Sequence, residues 1–140
     1  MNREIKFRAL KDDISNCNWF YGQLVYDAIG QPRITAVDKS GEGLTFHTCL
    51  KGTESQYTGL KDKNGKEIYE GDIIRKEIGV GYESKFYPSF PLGTQSKYFP
   101  LIVEWDNENA CWKRLELHND INFITEIEVI GNIYENPELL

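Results

Sequence analysis

Short segments in which apolar and polar residues alternate recur along this chain, and they constrain its fold more than any other feature. In residues 5–10, apolar side chains alternate with the basic residues Lys6 and Arg8. A β-strand repeats every two residues, so this pattern predicts a strand with Lys6 and Arg8 on one face, which we expect to be solvated. Similar patterns predict strands at residues 19–21, 24–26, 33–37, 44–50, 101–105, 111–115 and 127–134, and a strand that starts at Ile73.

Turn signals separate these segments, whereas helical periodicity is nearly absent. Asn64 and Gly65 both accept positive φ at low cost and therefore predict a tight hairpin turn. The Glu-Gly-Asp sequence at residues 70–72 predicts a second turn, in which the Asp72 carboxylate accepts backbone amides in a structural role. Only residues 119–126 favour one or two helical turns. The sequence therefore predicts a mainly β protein, with a meander of short strands in its N-terminal half and little helix.

Length, charge and cysteine usage exclude several classes of protein. With 140 residues the chain is expected to form one domain, and 40% apolar and 13% aromatic residues are too many for a disordered protein. A net charge of −6 argues against a polybasic nucleic-acid binder. The three cysteines form no Cys-x-x-Cys motif, the N-terminus is charged unlike a signal peptide, and no apolar run approaches ~20 residues. We therefore expect a soluble cytoplasmic protein with no membrane contact.

Residues 79–100 differ in composition from the rest of the chain. They hold three of the five prolines and six aromatic residues, in a connection of roughly 20 residues where about 4–6 is the median. Aromatic side chains are enriched in interface cores, and an extended arm can add a strand to a neighbouring protein. Packing against the chain's own fold and packing against a second protein both stay open. The candidate protein-contact residues are Tyr82, Phe86, Tyr87, Phe90, Tyr98 and Phe99.

No residue pattern indicates an enzyme or a cofactor. His47 and Cys49 would share one face of a strand, but the histidines and cysteines of this chain lack the spacing of a zinc site. The acidic residues at positions 104, 106 and 108 are more typical of a solvated hairpin tip than of a glycosidase pair. The sequence also lacks a serine-hydrolase motif and a phosphate-binding loop. We therefore expect no catalytic residues, no metal and no cofactor.

A nucleic-acid-binding surface is the alternative function. Lys61, Lys63 and Lys66 cluster at the predicted hairpin, and the rings of Tyr69 and Trp105 are candidates for stacking on bases. A solvated surface is favoured over this alternative, because the net charge is negative and the acidic residues at 67, 70 and 72 lie among the lysines. Phosphate-driven binding would be recognised by its steep loss with added salt.

Three blocks of sequence together point to a known family. They are Arg-Glu-Ile-Lys-Phe-Arg-Ala at 3–9, Gln-Tyr-Thr-Gly-Leu-Lys-Asp with Asn-Gly-Lys-Glu-Ile-Tyr-Glu-Gly-Asp-Ile within 56–73, and Ile-Glu-Val-Ile-Gly-Asn-Ile-Tyr-Glu-Asn-Pro at 127–137. In this order the blocks resemble the YopX family, small proteins of phages and prophages of low-GC Gram-positive bacteria. The resemblance implies a mostly β fold whose C-terminal half forms a small, Src-homology-3-like barrel. It implies no activity, because the family is uncharacterised in function.

The chain is thus predicted to be one YopX-like domain, with an N-terminal β region at residues 1–55 and a small barrel at residues 56–140. The aromatic segment 79–100 is an insertion in that barrel. We expect a non-enzymatic module, encoded by a phage or prophage, that binds an unidentified phage or host protein or assembles as a homo-oligomer through the insertion. Weak nucleic-acid binding by the small barrel is the alternative.

Overall fold

The computed structural model of the protein describes residues 4–12, 18–37, 39–76, 100–113, 115 and 127–140. Within these ranges the chain forms short strands and a 3-10 helix at Pro137–Leu139. The strands are β1 Phe7–Leu10, β2 Trp19–Tyr26, β3 Pro32–Val37, β4 Leu44–Thr48, β5 Ser55–Lys61, β6 Glu67–Tyr69, β7 Asp72–Lys76, β8 Pro100–Ile102, β9 Glu104–Asp106, β10 Cys111–Lys113 and β11 Ile127–Asn132.

This content confirms the predicted mainly β class. The predicted alternating segments become strands because period-two alternation suits a pleated sheet with two different faces. The described ranges contain no helix that is both long and apolar enough to cross a membrane. The helical turns predicted at residues 119–126 lie outside the described residues.

Contacts divide the chain into two compact units. The first comprises Met1–Leu60 and Glu67–Gly71, and the second comprises Lys61–Lys66 and Asp72–Leu140. This division differs from the predicted boundary after residue 55, because β5 and β6 join the sheet of the first unit. The backbone amide of Tyr57 in β5 donates to the carbonyl of Lys6 at 2.8 Å, and such a pairing between distant segments leaves no trace in local periodicity.

The first unit is built on a six-stranded sheet in the order β4-β3-β2-β1-β5-β6. β1 pairs antiparallel with β2 on one side and with β5 on the other, and β2, β3 and β4 follow as antiparallel neighbours. A bridge between Lys11 and Cys49 ties the end of β1 to the end of β4, so this sheet curls. Its core lies on one face and consists of Ala9, Ile34 and Cys49 with Phe7, Phe20 and Leu24 packed around them.

The second unit contains a three-stranded sheet, β11-β7-β8, and the two-stranded hairpin β9–β10. Val129 lies opposite Ile74, and the register shifts between Val129 and Gly131 where β11 bulges. Val103 is fully buried after β8, and its amide donates to the carbonyl of Asp72 at 2.9 Å. Asp72 is itself buried, as expected for a structural residue.

Two details of the predicted C-terminal half need correction. The described strands of residues 56–140 form no closed barrel, because β5 pairs with β1 and β6 pairs with β5, so a Src-homology-3-like barrel is not confirmed. At the β5–β6 turn only Gly65 has positive φ, at 80°. Asn64 does not, since the turn closes with the amide of Gly65 donating to the carbonyl of Asp62 at 3.0 Å.

Candidate functional site

One face of the first sheet carries large apolar side chains that remain exposed. Across the β3–β4 pair, Val37 lies opposite Leu44, and Thr35 lies opposite Phe46. Residues directly opposite each other, and residues two apart on a strand, share a face. The pairing of β2 with β3 adds two more residues to that face. This surface, here named the β2–β4 apolar face, consists of Tyr21, Val25, Val37, Leu44 and Phe46.

The exposure of this face is largest where β3 and β4 meet at their hairpin, and Val37 there is 64% exposed. Leu44 is 64% exposed and Phe46 is 58% exposed, although both belong to a regular strand whose alternate residues face inward. Fully burying such a side chain is worth about 1.5–3 kcal/mol relative to leaving it exposed. A contiguous apolar patch rimmed by polar side chains is typical of a protein interaction site. The polar positions among the apolar ones are Gln23, Thr35, Thr48 and Arg33, and the Arg33 guanidinium pairs with Asp27 at 3.2 Å.

The outer edge of β4 adds backbone groups to this surface. The amide of Cys49 donates to the carbonyl of Pro32 in β3 at 3.0 Å. Because backbone groups of successive strand residues point to opposite sides, the N–H and C=O groups of Leu44 and Phe46 point away from β3. β4 ends the strand order of the described sheet, and its sequence Leu-Thr-Phe-His-Thr holds no charge and no proline. The end of β4 is covered, since Cys49 bridges to Lys11 and the carbonyl of Thr48 accepts the amide of Asp12, so the features of an unprotected edge are confined to Leu44 and Phe46.

On the same face of the sheet, towards β1, β5 and β6, cationic side chains pack against aromatic rings. The Arg8 guanidinium lies 4.3 Å from the Trp19 ring and 4.6 Å from the Tyr69 ring, and Arg8 is only 5% exposed. The ring of Tyr21 meets that of Tyr69 edge-on at 5.7 Å. The predicted solvated face of β1 is therefore wrong at Arg8, because a planar guanidinium stacks well between aromatic rings and can be buried there.

An ion pair between Lys6 and Glu67 lies beside this cluster of rings. The Lys6 ammonium donates to Glu67 Oε1 at 2.6 Å and lies 5.2 Å from the Tyr57 ring centre. The hydrogen bond to Glu67 raises the pKa of Lys6, and burial raises the pKa of Tyr69, whose hydroxyl donates to Glu67 at 2.8 Å. Both groups thus keep their protons at neutral pH, and Glu67 accepts hydrogen bonds from both of them.

His47 and Cys49, which lack zinc-site spacing in the sequence, both pack within the first sheet. The His47 ring stacks on Phe20 with centroids 4.0 Å apart and planes 10° from parallel. Cys49 is fully buried, and burial raises the pKa of its thiol. Among the residues that the structure describes, no three histidine, cysteine or acidic side chains gather as a metal site. Cys17 and His118 lie outside the described residues.

The nucleic-acid candidates are placed unevenly. Lys61, Lys63 and Lys66 are all exposed, and the Lys63 ammonium lies 3.6 Å from the Glu128 carboxylate. Tyr69 is 1% exposed, so its ring offers no face to a base. Trp105 is 36% exposed and packs edge-on against Trp112 at 4.9 Å. Nucleic-acid binding stays a prediction. Tyr69 is no longer a candidate for stacking on a base, because its ring is buried.

The comparisons with known proteins agree with this β architecture. A family model described as YopX protein matches residues 6–140. The chain belongs to the YopX family. It is similar to the crystal structure of protein EF1440 from Enterococcus faecalis, with a TM-score of 0.57 and 24% identity over 99% of each chain. That likeness extends to the fold alone. A search of curated proteins found no match to the chain.

The sequence-based predictions for this YopX chain did not include the residues of the β2–β4 apolar face. The predicted contact residues Tyr82, Phe86, Tyr87, Phe90, Tyr98 and Phe99 lie outside the described residues and stay predictions. A signal for the apolar face does exist in β4, where Leu44 and Phe46 alternate with Thr45 and His47. Alternation identifies two faces, but only the sheet order shows which of them a neighbouring layer covers.

Proposed function

We propose that this YopX protein is a non-enzymatic binding module that docks a protein partner on the β2–β4 apolar face. One observation carries the proposal: five large apolar side chains lie exposed on a single face of a single sheet. Side chains of this size are normally buried when they share a face, because water exposure forfeits their transfer free energy.

The shape and chemistry of the face favour a protein as its partner. A sheet face is broad, and sheets pack on one another about 10 Å apart through interdigitating apolar side chains. The aromatic members Tyr21 and Phe46 are of the kind enriched at the centre of protein interfaces. The threonines and Gln23 between them provide hydrogen-bonding groups for a polar rim.

The biological setting belongs to the same proposal. The family resemblance supports a phage- or prophage-encoded protein acting in the cytoplasm of a bacterial host, with a phage or host protein as its partner. The absence of an enzymatic role and of a cofactor is part of this proposal and rests on the lack of catalytic and metal-binding sequence motifs. The aromatic segment 79–100 stays a second predicted contact region.

The test compares capture of proteins by matched lysine variants. Tagged wild-type protein, Val25→Lys, Val37→Lys and Ile29→Lys are passed through nuclease-treated extract of an induced host. Ile29 is an exposed apolar residue in the β2–β3 turn, so its variant carries the same charge change away from the face. We expect the same partner bound by wild type and Ile29→Lys and lost from both face variants. Equal binding by all four proteins, or binding by none, contradicts the proposal.

A further inference from the structure

The outward edge of β4 offers backbone hydrogen-bonding groups that a second strand can pair with. We propose that a second copy of this chain pairs antiparallel with β4, so that Leu44 of each copy lies opposite Phe46 of the other. The two six-stranded sheets then become continuous, and their apolar faces merge into one surface. This inference shares residues with the proposed function but needs no other partner.

The register follows from which backbone groups the edge still offers. Leu44, Phe46 and Thr48 direct their N–H and C=O groups outward, since Cys49 directs its amide to β3. The carbonyl of Thr48 already accepts the amide of Asp12, at 3.4 Å. The outward groups of Leu44 and Phe46 remain, within the part of the chain that the structure describes. An antiparallel two-fold partner pairs these two residues with each other when Leu44 faces Phe46 and Thr45 lies on the axis.

The side chains are self-complementary in this register. Leu44 meets the second copy's Phe46 on the apolar face, twice by symmetry, and an aliphatic–aromatic pair across strands is favourable. On the opposite face Thr45 meets the second copy's Thr45, another favourable cross-strand pair. β4 carries no charged residue, so no like charges oppose each other within the paired segment.

A second copy also suits the edge better than an open-ended partner. Edge strands are normally protected by lysine, proline or a bulge, and β4 pairs with β3 over five consecutive residues without a shift in register. Pairing β4 with itself uses the same edge in both copies and therefore closes as a dimer, without growing into a filament. The short paired segment makes only four backbone hydrogen bonds. The area that it buries is therefore expected to be smaller than the roughly 800 Å² per partner of a standard interface. The dimer is therefore expected to dissociate on dilution.

Sedimentation equilibrium across a concentration series tests the dimer. We expect the mean mass of the wild type to rise from that of the 16.2 kDa monomer towards twice that value. Phe46→Lys should stay monomeric, and Val25→Lys, on β2 two strands inward, should associate like the wild type. Circular dichroism establishes that both variants keep their β content. A wild type that stays monomeric, or a Phe46→Lys variant that still dimerises, overturns the inference, and neither result bears on capture of another protein.

Disulfide trapping tests the register independently of folding changes at Phe46. Residues facing each other across a non-hydrogen-bonded pair have Cα atoms about 4.5 Å apart, within the range of a disulfide. Thr45→Cys should therefore form a covalent dimer under mild oxidation. In Thr48→Cys the two sulfurs would start from positions roughly 20 Å apart along the strands. Equal cross-linking of both variants, or no more cross-linking by Thr45→Cys than by the wild type with its native cysteines, overturns the register.

Discussion

Asp62, in the turn between β5 and β6, accepts a hydrogen bond at 3.0 Å from the backbone amide of Val129, which lies 67 residues further along the chain in β11. Its other oxygen accepts the amides of Asn64 at 2.8 Å and Lys66 at 2.9 Å. One buried carboxylate therefore shapes its own turn and ties that turn to the sheet of the second unit.

Removing this carboxylate should be costly for stability. We expect Asp62→Ala to lower the free energy of unfolding by about 2–4 kcal/mol, because three backbone amides lose a charged acceptor and one of them is buried. Urea denaturation followed by circular dichroism measures this. Lys66→Ala, an exposed change in the same turn, should stay within about 0.5 kcal/mol of the wild type. A loss for Asp62→Ala no larger than that of Lys66→Ala would contradict the assigned role.

The stacked position of Arg8 predicts a specific coupling with Trp19. Arg8→Lys keeps the charge but loses the planar group that lies between the rings, so we expect it to destabilise the protein by about 1–2 kcal/mol. A double-mutant cycle of Arg8→Lys with Trp19→Leu should give a coupling energy of about 1 kcal/mol. Additive losses from the two substitutions would show that the guanidinium and the indole do not stabilise each other.

Two glycines should respond differently to alanine, for different physical reasons. Gly65 has φ of 80° and open space around its Cα, so Gly65→Ala should cost about 1–2 kcal/mol through backbone strain alone, and Gly65→Asn less. At Gly22 a Cβ atom would lie 2.1 Å from the carbonyl oxygen of Thr35 in the neighbouring strand. Gly22→Ala should therefore be the more destabilising change in thermal or urea unfolding. A smaller loss for Gly22→Ala than for Gly65→Ala would contradict the close approach of β2 and β3.

Many strands of this protein were predictable because alternation is a local pattern, although residues 101–105, predicted as one strand, divide between β8 and β9. Period-two alternation in residues 5–10 and 33–37 matches β1 and β3, and Gly71 takes the positive φ of 80° that the predicted turn requires. The pairing of β5 with β1 was not predictable, since it depends on which distant edge is free. The predicted barrel was implied by the family resemblance, whereas the observed sheet follows that long-range pairing.

The candidate site shows the same division between local and long-range information. Alternation predicted a polar, solvated position for Arg8 on β1, but the rings that bury it come from β2 and β6 and meet it only after the sheet forms. Likewise, alternation in β4 separates Leu44 and Phe46 from Thr45 and His47 without showing that the apolar pair faces outward. The exposure of a side chain depends on the order of strands in the sheet and on what covers each face. Neither can be predicted from the sequence of one strand.

Glu128 should make stability depend on pH in the acid range. A hydrogen bond from the Arg75 guanidinium, with Lys63 at 3.6 Å as a second cation, holds the pKa of Glu128 below its usual range. The stabilisation is complete above the ordinary glutamate pKa of about 4.3 and is lost as the pH falls through the lowered folded value. Glu128→Gln should therefore be less stable than the wild type at pH 7, and the difference should shrink in acid. Urea unfolding of both proteins from pH 7 to pH 3 measures this, and a difference that stays constant or grows in acid would contradict the ion pair.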